Sequence, residues 1–366
     1  MNGSFEIRER AHYRIKGEDT VLAATASSDT QLVYLLSSGK VVRYDANSHK
    51  AEILFTISEK GLHYTDGGFD LSAPSRIYTM DSIVVVVNSY KLHGYIHYPD
   101  YYHKLHLWRK DYHADISHYP IALYKDSLDV PHIIYSEAWN RLHIMNLQTR
   151  QVLTAAKSLI EEGAEERHIE FYKKYSEDNK LPWPRPYDYF FGELEMSPGN
   201  QYFMSLGWAW GSYDAYTVYN TETFIESHRI ASMSIGGGEH ENRGACWIDD
   251  QTAVITYNPY MEGDDDALPG SDDELHFYRV TKKEATLEKK VVVKGLRILK
   301  FQLKYQAAHE LIVCYSQELG SALLSLKGEV LYYNKELKPK GYSKESNLLY
   351  TFSEQSIRLF ETCYSM

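Results

Sequence analysis

The sequence predicts an all-β fold closed into a ring, a β-propeller of seven blades with four antiparallel strands each, and three observations carry that expectation. Tyrosine dominates the aromatic residues, 32 Tyr against 12 Phe in 366 residues. Tyrosine suits a pleated, half-buried strand whose ring has one wet edge. A short strand pattern, apolar-x-apolar-aromatic before a polar turn, recurs seven times with varying fidelity. Finally, an N-terminal segment supplies the strand that the last copy lacks.

The copies are Val41-Val42-Arg43-Tyr44, Leu105-His106-Leu107-Trp108, Leu142-His143-Ile144-Met145, Tyr216-Thr217-Val218-Tyr219 and Leu275-His276-Phe277-Tyr278, with weaker ones at Ala322-Leu323-Leu324-Ser325 and Ile357-Arg358-Leu359-Phe360. Their spacings of 64, 37, 74, 59, 47 and 35 residues bracket the length of a four-stranded blade, the longer ones carrying insertions. In front of each copy lies another β-type run, such as Gln31 to Leu36, Ile83 to Val87 or Leu311 to Tyr315. Each run is expected to be a blade's second strand and each copy its third. The last copy ends near Cys363 with no fourth strand after it, and Phe5 to Ile15 is expected to pair there and close the ring. A two-sheet sandwich is the competing reading of the pattern, and six or eight blades remain open. The whole chain, 1–366, reads as one domain with an insertion at 156–190 between blades three and four.

This organisation resembles WD40-like β-propellers, and Met196-Ser197-Pro198-Gly199-Asn200 looks like the turn before their second strand. The Trp-Asp dipeptide and the Gly-His pair of those proteins are missing. The resemblance therefore implies an architecture and carries over no site residues.

Composition narrows the function classes. A formal net charge of −11 without clustered Lys and Arg argues against nucleic acid and against an anionic membrane surface, while it suits solubility or a basic partner. Three scattered cysteines, Cys246, Cys314 and Cys363, fit reduced thiols, and no secretory apolar segment or membrane-length apolar run is visible, so a cytoplasmic location is expected.

The excursions from the repeat suggest where function sits. In a four-stranded blade, the second-to-third loops and the blade-to-blade links share one face of the disc. The stretch 90–104, read as blade two's second-to-third loop, carries Tyr98, Tyr101 and Tyr102; blade four's 207–214 carries Trp208, Trp210 and Tyr213; blade five's 258–273 carries Tyr260, Asp264, Asp265 and Asp266. The 156–190 link is expected to be helical near 156–180, broken at Gly163, then extended through Leu181-Pro182-Trp183-Pro184. Insertions on one face of a repeat fold mark a binding face, and exposed Tyr and Trp are interface anchors. All these residues are expected on a partner-binding face for a protein, one of basic character in the sharpest version. Trp208 directly continues a strand, so Trp210 is the firmer candidate for exposure.

Chemistry is sparse. His93, His97 and His103, with His106 and Asp100 nearby, form the best metal candidate, for zinc, but lack an HExxH frame. Glu262, Asp264, Asp265, Asp266, Asp272, Asp273 and Glu274 offer oxygens for calcium, without EF-hand spacing. A solvated polar loop is the plainer reading of each, so no cofactor is expected. No GxSxG elbow, Walker A or GxGxxG motif occurs, and no catalytic residue is assigned. The expected function is a non-enzymatic binding scaffold. The alternative is a metal-assisted hydrolase or lactonase, or a glycan-active enzyme, with its site at the central channel mouth. Small-ligand binding would instead need the aromatics to line one pocket.

Overall fold

A computed structural model describes residues 4–57, 68–174, 185–211, 213–238, 240–259 and 272–365. Its strands form seven small antiparallel sheets, the blades of a propeller. β1 (Ser4–Arg14) belongs to the closing blade. Blade one holds β2 (Val21–Ala26), β3 (Gln31–Leu36), β4 (Lys40–Asp45) and β5 (Lys50–Thr56). Blade two holds β6 (Ser75–Met80), β7 (Ile83–Asn88), β8 (His93–Tyr98) and β9 (Tyr102–Trp108). Blade three has β10 (Ile121–Lys125), β11 (Pro131–Ala138) and β12 (Arg141–Asn146), its fourth strand reduced to a Met145–Val152 bridge. The helix α1 (Ala164–Lys174) follows. Blade four holds β13 (Phe190–Met196), β14 (Tyr202–Trp208) and β15 (Thr217–Asn220), then α2 (Thr221–Glu226) and a two-residue β16 (Met233–Ser234). Blade five is β17 (Ala245–Asp249), β18 (Thr252–Tyr257), β19 (Asp273–Val280) and β20 (Ala285–Val293). Blade six is β21 (Gln302–Gln306), β22 (Leu311–Ser316), β23 (Gly320–Ser325) and β24 (Val330–Asn334). Blade seven is β25 (Gly341–Ser343), β26 (Leu348–Ser353), β27 (Ser356–Ser365) and, from the other end of the chain, β1.

The core is divided among the seven blade interfaces. β7 shows how. Its residues Ile83 to Asn88 are all buried. Val84 and Val86 pack with Val33, Leu35 and Phe55 of blade one. Val85 and Val87 pack with Ile121, Ile133 and Met145 of blade three. A strand sandwiched between neighbours buries both faces, so it reads as an unbroken apolar run. The same split puts Tyr202, Met204 and Val218 against Trp247, Val254's neighbours Ala253 and Ile255, and Val280 between blades four and five. The outer strand β20 instead exposes most of its residues.

Ring closure follows the expectation. β1 pairs antiparallel with β27 from Ser4↔Ser365 to Arg14↔Ser356, with a bulge between Glu9 and Ala11. Ile7 is buried among Leu311, Val313 and Leu349 of blades six and seven.

Two expectations are corrected. The stretch 90–104 is not a loop: it contains β8 and the first residues of β9, so the copy at Leu105 to Trp108 is a fourth strand and not a third. Its Tyr and His residues are aromatic strand formers, and Gly94 lets β8 approach closely, since a Cβ there would meet Val87 Cγ1 at 2.5 Å. In the insertion, helix begins only at Ala164, after Gly163 at φ 72°. The preceding segment bridges instead to blade four, through Ser158 N to His228 O (2.9 Å) and Glu162 N to Ile230 O (2.9 Å). Among the described residues no helix is long and apolar enough to cross a membrane.

Candidate functional site

Blade connectivity assigns each loop to a face. The second-to-third loops and the blade-to-blade links share the link face, and the other turns share the turn face. Trp208, Trp210 and Tyr213 lie on or beside the β14–β15 loop, on the link face as expected. Tyr101 lies in the β8–β9 turn, flanked by Tyr98 and Tyr102, and therefore sits on the turn face. Tyr98 is 8% exposed and packs in the core between blades two and three. The grouping of these tyrosines with the tryptophans is thus corrected: a hidden strand moved them to the opposite rim. Trp183, Tyr260, Asp264, Asp265 and Asp266 lie outside the described residues.

The link face gathers an aromatic cluster from four segments. Trp208 stacks on Phe190 at 3.8 Å between centroids, and Trp139 meets Phe190 at 4.4 Å. Trp210 stands edge-on to Phe190 at 4.9 Å and to His113 at 5.5 Å. Tyr112 closes the set at 5.6 Å from Trp139. Trp208 is half-buried and donates Nε1–H to Ser117 Oγ (3.1 Å). Trp210 is 52% exposed and Tyr112 49% exposed. The Trp210 indole N–H is fixed on Asp188 Oδ1 at 2.7 Å.

Two buried arginines hold the loops that present these rings. Arg109, 3% exposed, donates to the carbonyls of Lys91 (2.9 Å), His118 (3.1 Å), Ala114 (2.9 Å) and Ser117 (2.8 Å). It knots the 109–120 link that carries Tyr112 and His113, and burial lowers its pKa to about 10. Arg243, fully buried, pairs with Asp214, whose carboxylate accepts from Nε at 2.8 Å and also accepts the backbone N–H of Arg243. Asp214 bridges Trp208 across the loop, so this pair roots the segment bearing Trp210.

Beside the cluster is a groove of about 590 Å³ lined by Trp108, Tyr112, Trp139, Leu92 and Leu159, with Lys110, Asp111, Glu137 and Arg141 among its polar groups. Glu137 accepts from His143 Nε2 at 2.9 Å when that nitrogen carries the proton. Burial would raise the Glu137 pKa, but His143 and Arg141 prevail and lower it.

The histidine set is dispersed into the sheet. His93 Nδ1 lies 2.8 Å from His106 Nε2, and His97 Nδ1 donates to the carbonyl of His103 at 2.5 Å. His97 stacks on Phe55, and burial lowers its pKa. Among the described residues no three His, Cys, Asp or Glu side chains are grouped to hold a metal ion. Of the acidic stretch, Asp273 is engaged with the backbone N–H of Leu299 (2.9 Å) and with Arg297, and Glu274 with His276 (2.7 Å).

The central channel, whose mouth was the expected place of the alternative enzymatic site, brings together charged residues that the sequence did not single out. It encloses about 1110 Å³ and is lined by residues of all seven inner strands. Alternation on those strands aims one set of side chains inward: Arg76 and Tyr78 from β6, Glu193 and Glu195 from β13, Lys304 from β21. Arg76 NH1 donates to Glu193 Oε2 at 2.6 Å, and Lys304 Nζ to Glu195 Oε2 at 2.6 Å. These pairs tie blade two to four and blade six to four. The Arg76 side chain stays 38% accessible near the ring's axis because that surface faces the channel. Burial would raise the Glu193 carboxyl, but Arg76, backed by Lys304 and His118, holds it down at about 2. His118 lies 2.8 Å from the Tyr90 hydroxyl, and burial followed by Arg76 lowers its pKa to about 4. Glu193 is thus ionised at neutral pH and cannot serve as the protonated acid of a carboxylate pair.

The missed residues did leave a signal. Arg76, Glu193, Glu195 and Lys304 are charged positions alternating within short strands just before each second strand. Tyr112 and His113 left none, because their place depends on how Arg109 folds the link. No protein-family model matches the chain, and no curated protein matches its sequence.

Proposed function

We propose that the protein is a non-enzymatic binding scaffold whose protein partner docks on the link face around Trp210, Tyr112 and the adjoining groove. One observation carries this reading: rings from four separate segments converge on one patch and leave Trp210, Tyr112 and Trp108, the last 45% exposed, facing outward. Large rigid rings give contact area at little entropic cost, and pre-ordered loops reduce the cost of binding. A propeller offers such loops a stiff support, because each loop is anchored at both ends in buried strands. The formal charge of −11 favours a basic partner, whose arginines or lysines would lie over exposed indole and phenol faces.

The test is capture of a partner from native extract, its identification by mass spectrometry, and measurement of its affinity for the wild type and for W210A and Y112A. Each variant should lose about 2 kcal/mol of binding while melting as the wild type does. A partner that binds both variants with unchanged affinity places the interface elsewhere.

A further inference from the structure

The channel walls differ in charge from the rest of the molecule. In a chain of formal net charge −11, the channel lining holds five basic side chains and four acidic ones. Arg76 and Lys304 are matched by Glu193 and Glu195. Lys344, at the β25–β26 turn and so at the turn-face mouth, donates to the Met196 carbonyl at 3.3 Å and makes no ion pair to a described carboxylate, while Glu195, Glu345 and Asp250 lie near enough to oppose the lowering of its pKa by burial. One phenol, Tyr342, lines the wall beside Lys304 and Glu195, while Tyr78, Tyr315 and Tyr350 gather farther along the channel around Arg76 and Glu193. Burial raises the pKa of each, so each remains a hydroxyl donor at neutral pH. Leu22, Leu123 and Ile248 complete the lining from blades one, three and five. A cavity with an ammonium that makes no direct ion pair, O–H donors and apolar flanks suits a compact anion with a small carbon body.

We propose that the channel binds a small organic oxyanion, a carboxylate or phosphate ester, held at the turn-face end by Lys344 together with Lys304. Glu195 competes with that ligand for Lys304, since its carboxylate already occupies the ammonium at 2.6 Å. The site is separate from the link-face aromatics and stands whether or not a protein docks there. Its acidic surroundings make the selection a local one: long-range repulsion disfavours anions outside, and salt screens that repulsion without reaching the enclosed Lys304.

The experiment is titration calorimetry and thermal melting of the whole protein with inorganic phosphate and, separately, with succinate, against sodium chloride at matched ionic strength. At least one of the two anions should release or absorb heat and raise the melting temperature. Phosphate alone assigns a phosphoryl ligand, and succinate alone a carboxylate. Lys344 is exposed at the channel mouth, so K344Q should fold, and it should weaken binding by about tenfold. E195Q, which frees Lys304, should tighten it; where E195Q does not fold, K344Q decides. The proposal is overturned if neither anion binds at about 10 mM, which is weaker than any recognised ligand of this kind needs. It is equally overturned if K344Q binds as well as the wild type, or if folded E195Q binds more weakly.

Discussion

A buried arginine with no carboxylate partner among the described residues is an unusual way to shape a surface. Arg109 is such a residue: its charge is dispersed over four backbone carbonyls and the ring face of Tyr119, 4.7 Å away. Three of those carbonyls belong to the 109–120 link and one to the β7–β8 loop, and the turns there would otherwise leave them unsatisfied. Replacing Arg109 with Met keeps bulk and removes every donor. Chemical denaturation should show a loss on the order of 3 kcal/mol, since several buried acceptors become orphaned at once. The same variant should bind the captured partner more weakly than its stability loss explains, because Tyr112 and His113 lose their fixed placement. Unchanged stability would show that water can take over the carbonyls. The contrast between Trp210 and Tyr101 also belongs at this scale. Both are about half exposed, at 52% and 50%, but they stand on opposite faces. Y101A should leave partner affinity within about 0.5 kcal/mol of wild type, where W210A costs about 2.

At the scale of elements, the strand that joins the chain's two ends bears the heaviest structural load. β1 covers β27 along ten residue pairs, and its Ile7 fills the interface between blades six and seven. Deleting residues 1–15 should lower the melting temperature by about 10 °C or more, because an edge opens and a buried slab loses one wall. A truncated chain that melts like the full one would mean that blade seven stands on three strands. This closure was legible in the sequence, as were all seven second strands, because strands buried on both faces write unbroken runs such as Ile83-Val84-Val85-Val86-Val87. β8 was not legible. His93-Gly94-Tyr95-Ile96-His97-Tyr98 has a single aliphatic residue, and its burial rests on tyrosine and histidine rings whose polar atoms find partners only once the blade is assembled. Trp208 and Trp210 were readable because tryptophans at a loop are rare in a chain with only six, whereas Trp139 and Trp108 were not singled out. The channel mouth could be named as a place from the fold, but its residues could not, because its charges come from separate blades and meet only when the ring closes.

At the scale of the whole molecule, the cross-channel pairs make stability depend on pH in two separate windows. Glu193 has a folded pKa of about 2 against an ordinary 4.5. A depressed carboxyl contributes stability that is present above its unfolded value and lost as pH falls from about 4.5 toward 2. His118 is depressed too, to about 4 from an ordinary 6.5, but for the opposite reason: burial and Arg76 disfavour its charged form. The unfolded chain therefore binds the His118 proton first as pH falls. Stability is full above 6.5 and declines between 6.5 and 4. His97, His240 and His276 are shifted the same way, burial being the largest cause in each, so the wild-type slope in that window is collective. Unfolding free energies measured by urea at pH 7.5, 5.5 and 4.5 should fall in that order. H118Q keeps a polar partner for Tyr90 but cannot take up a proton. It should flatten the decline by the share of one group, on the order of 2 to 3 kcal/mol between the ends of the window. E193Q should leave the slope in that window almost unchanged and remove the further decline below about pH 4.5, while lowering stability at neutral pH by stranding Arg76. An H118Q slope equal to that of the wild type would show that His118 is hydrated in the channel and titrates freely, and the tie between blades two and four would then rest on Arg76 and Glu193 alone.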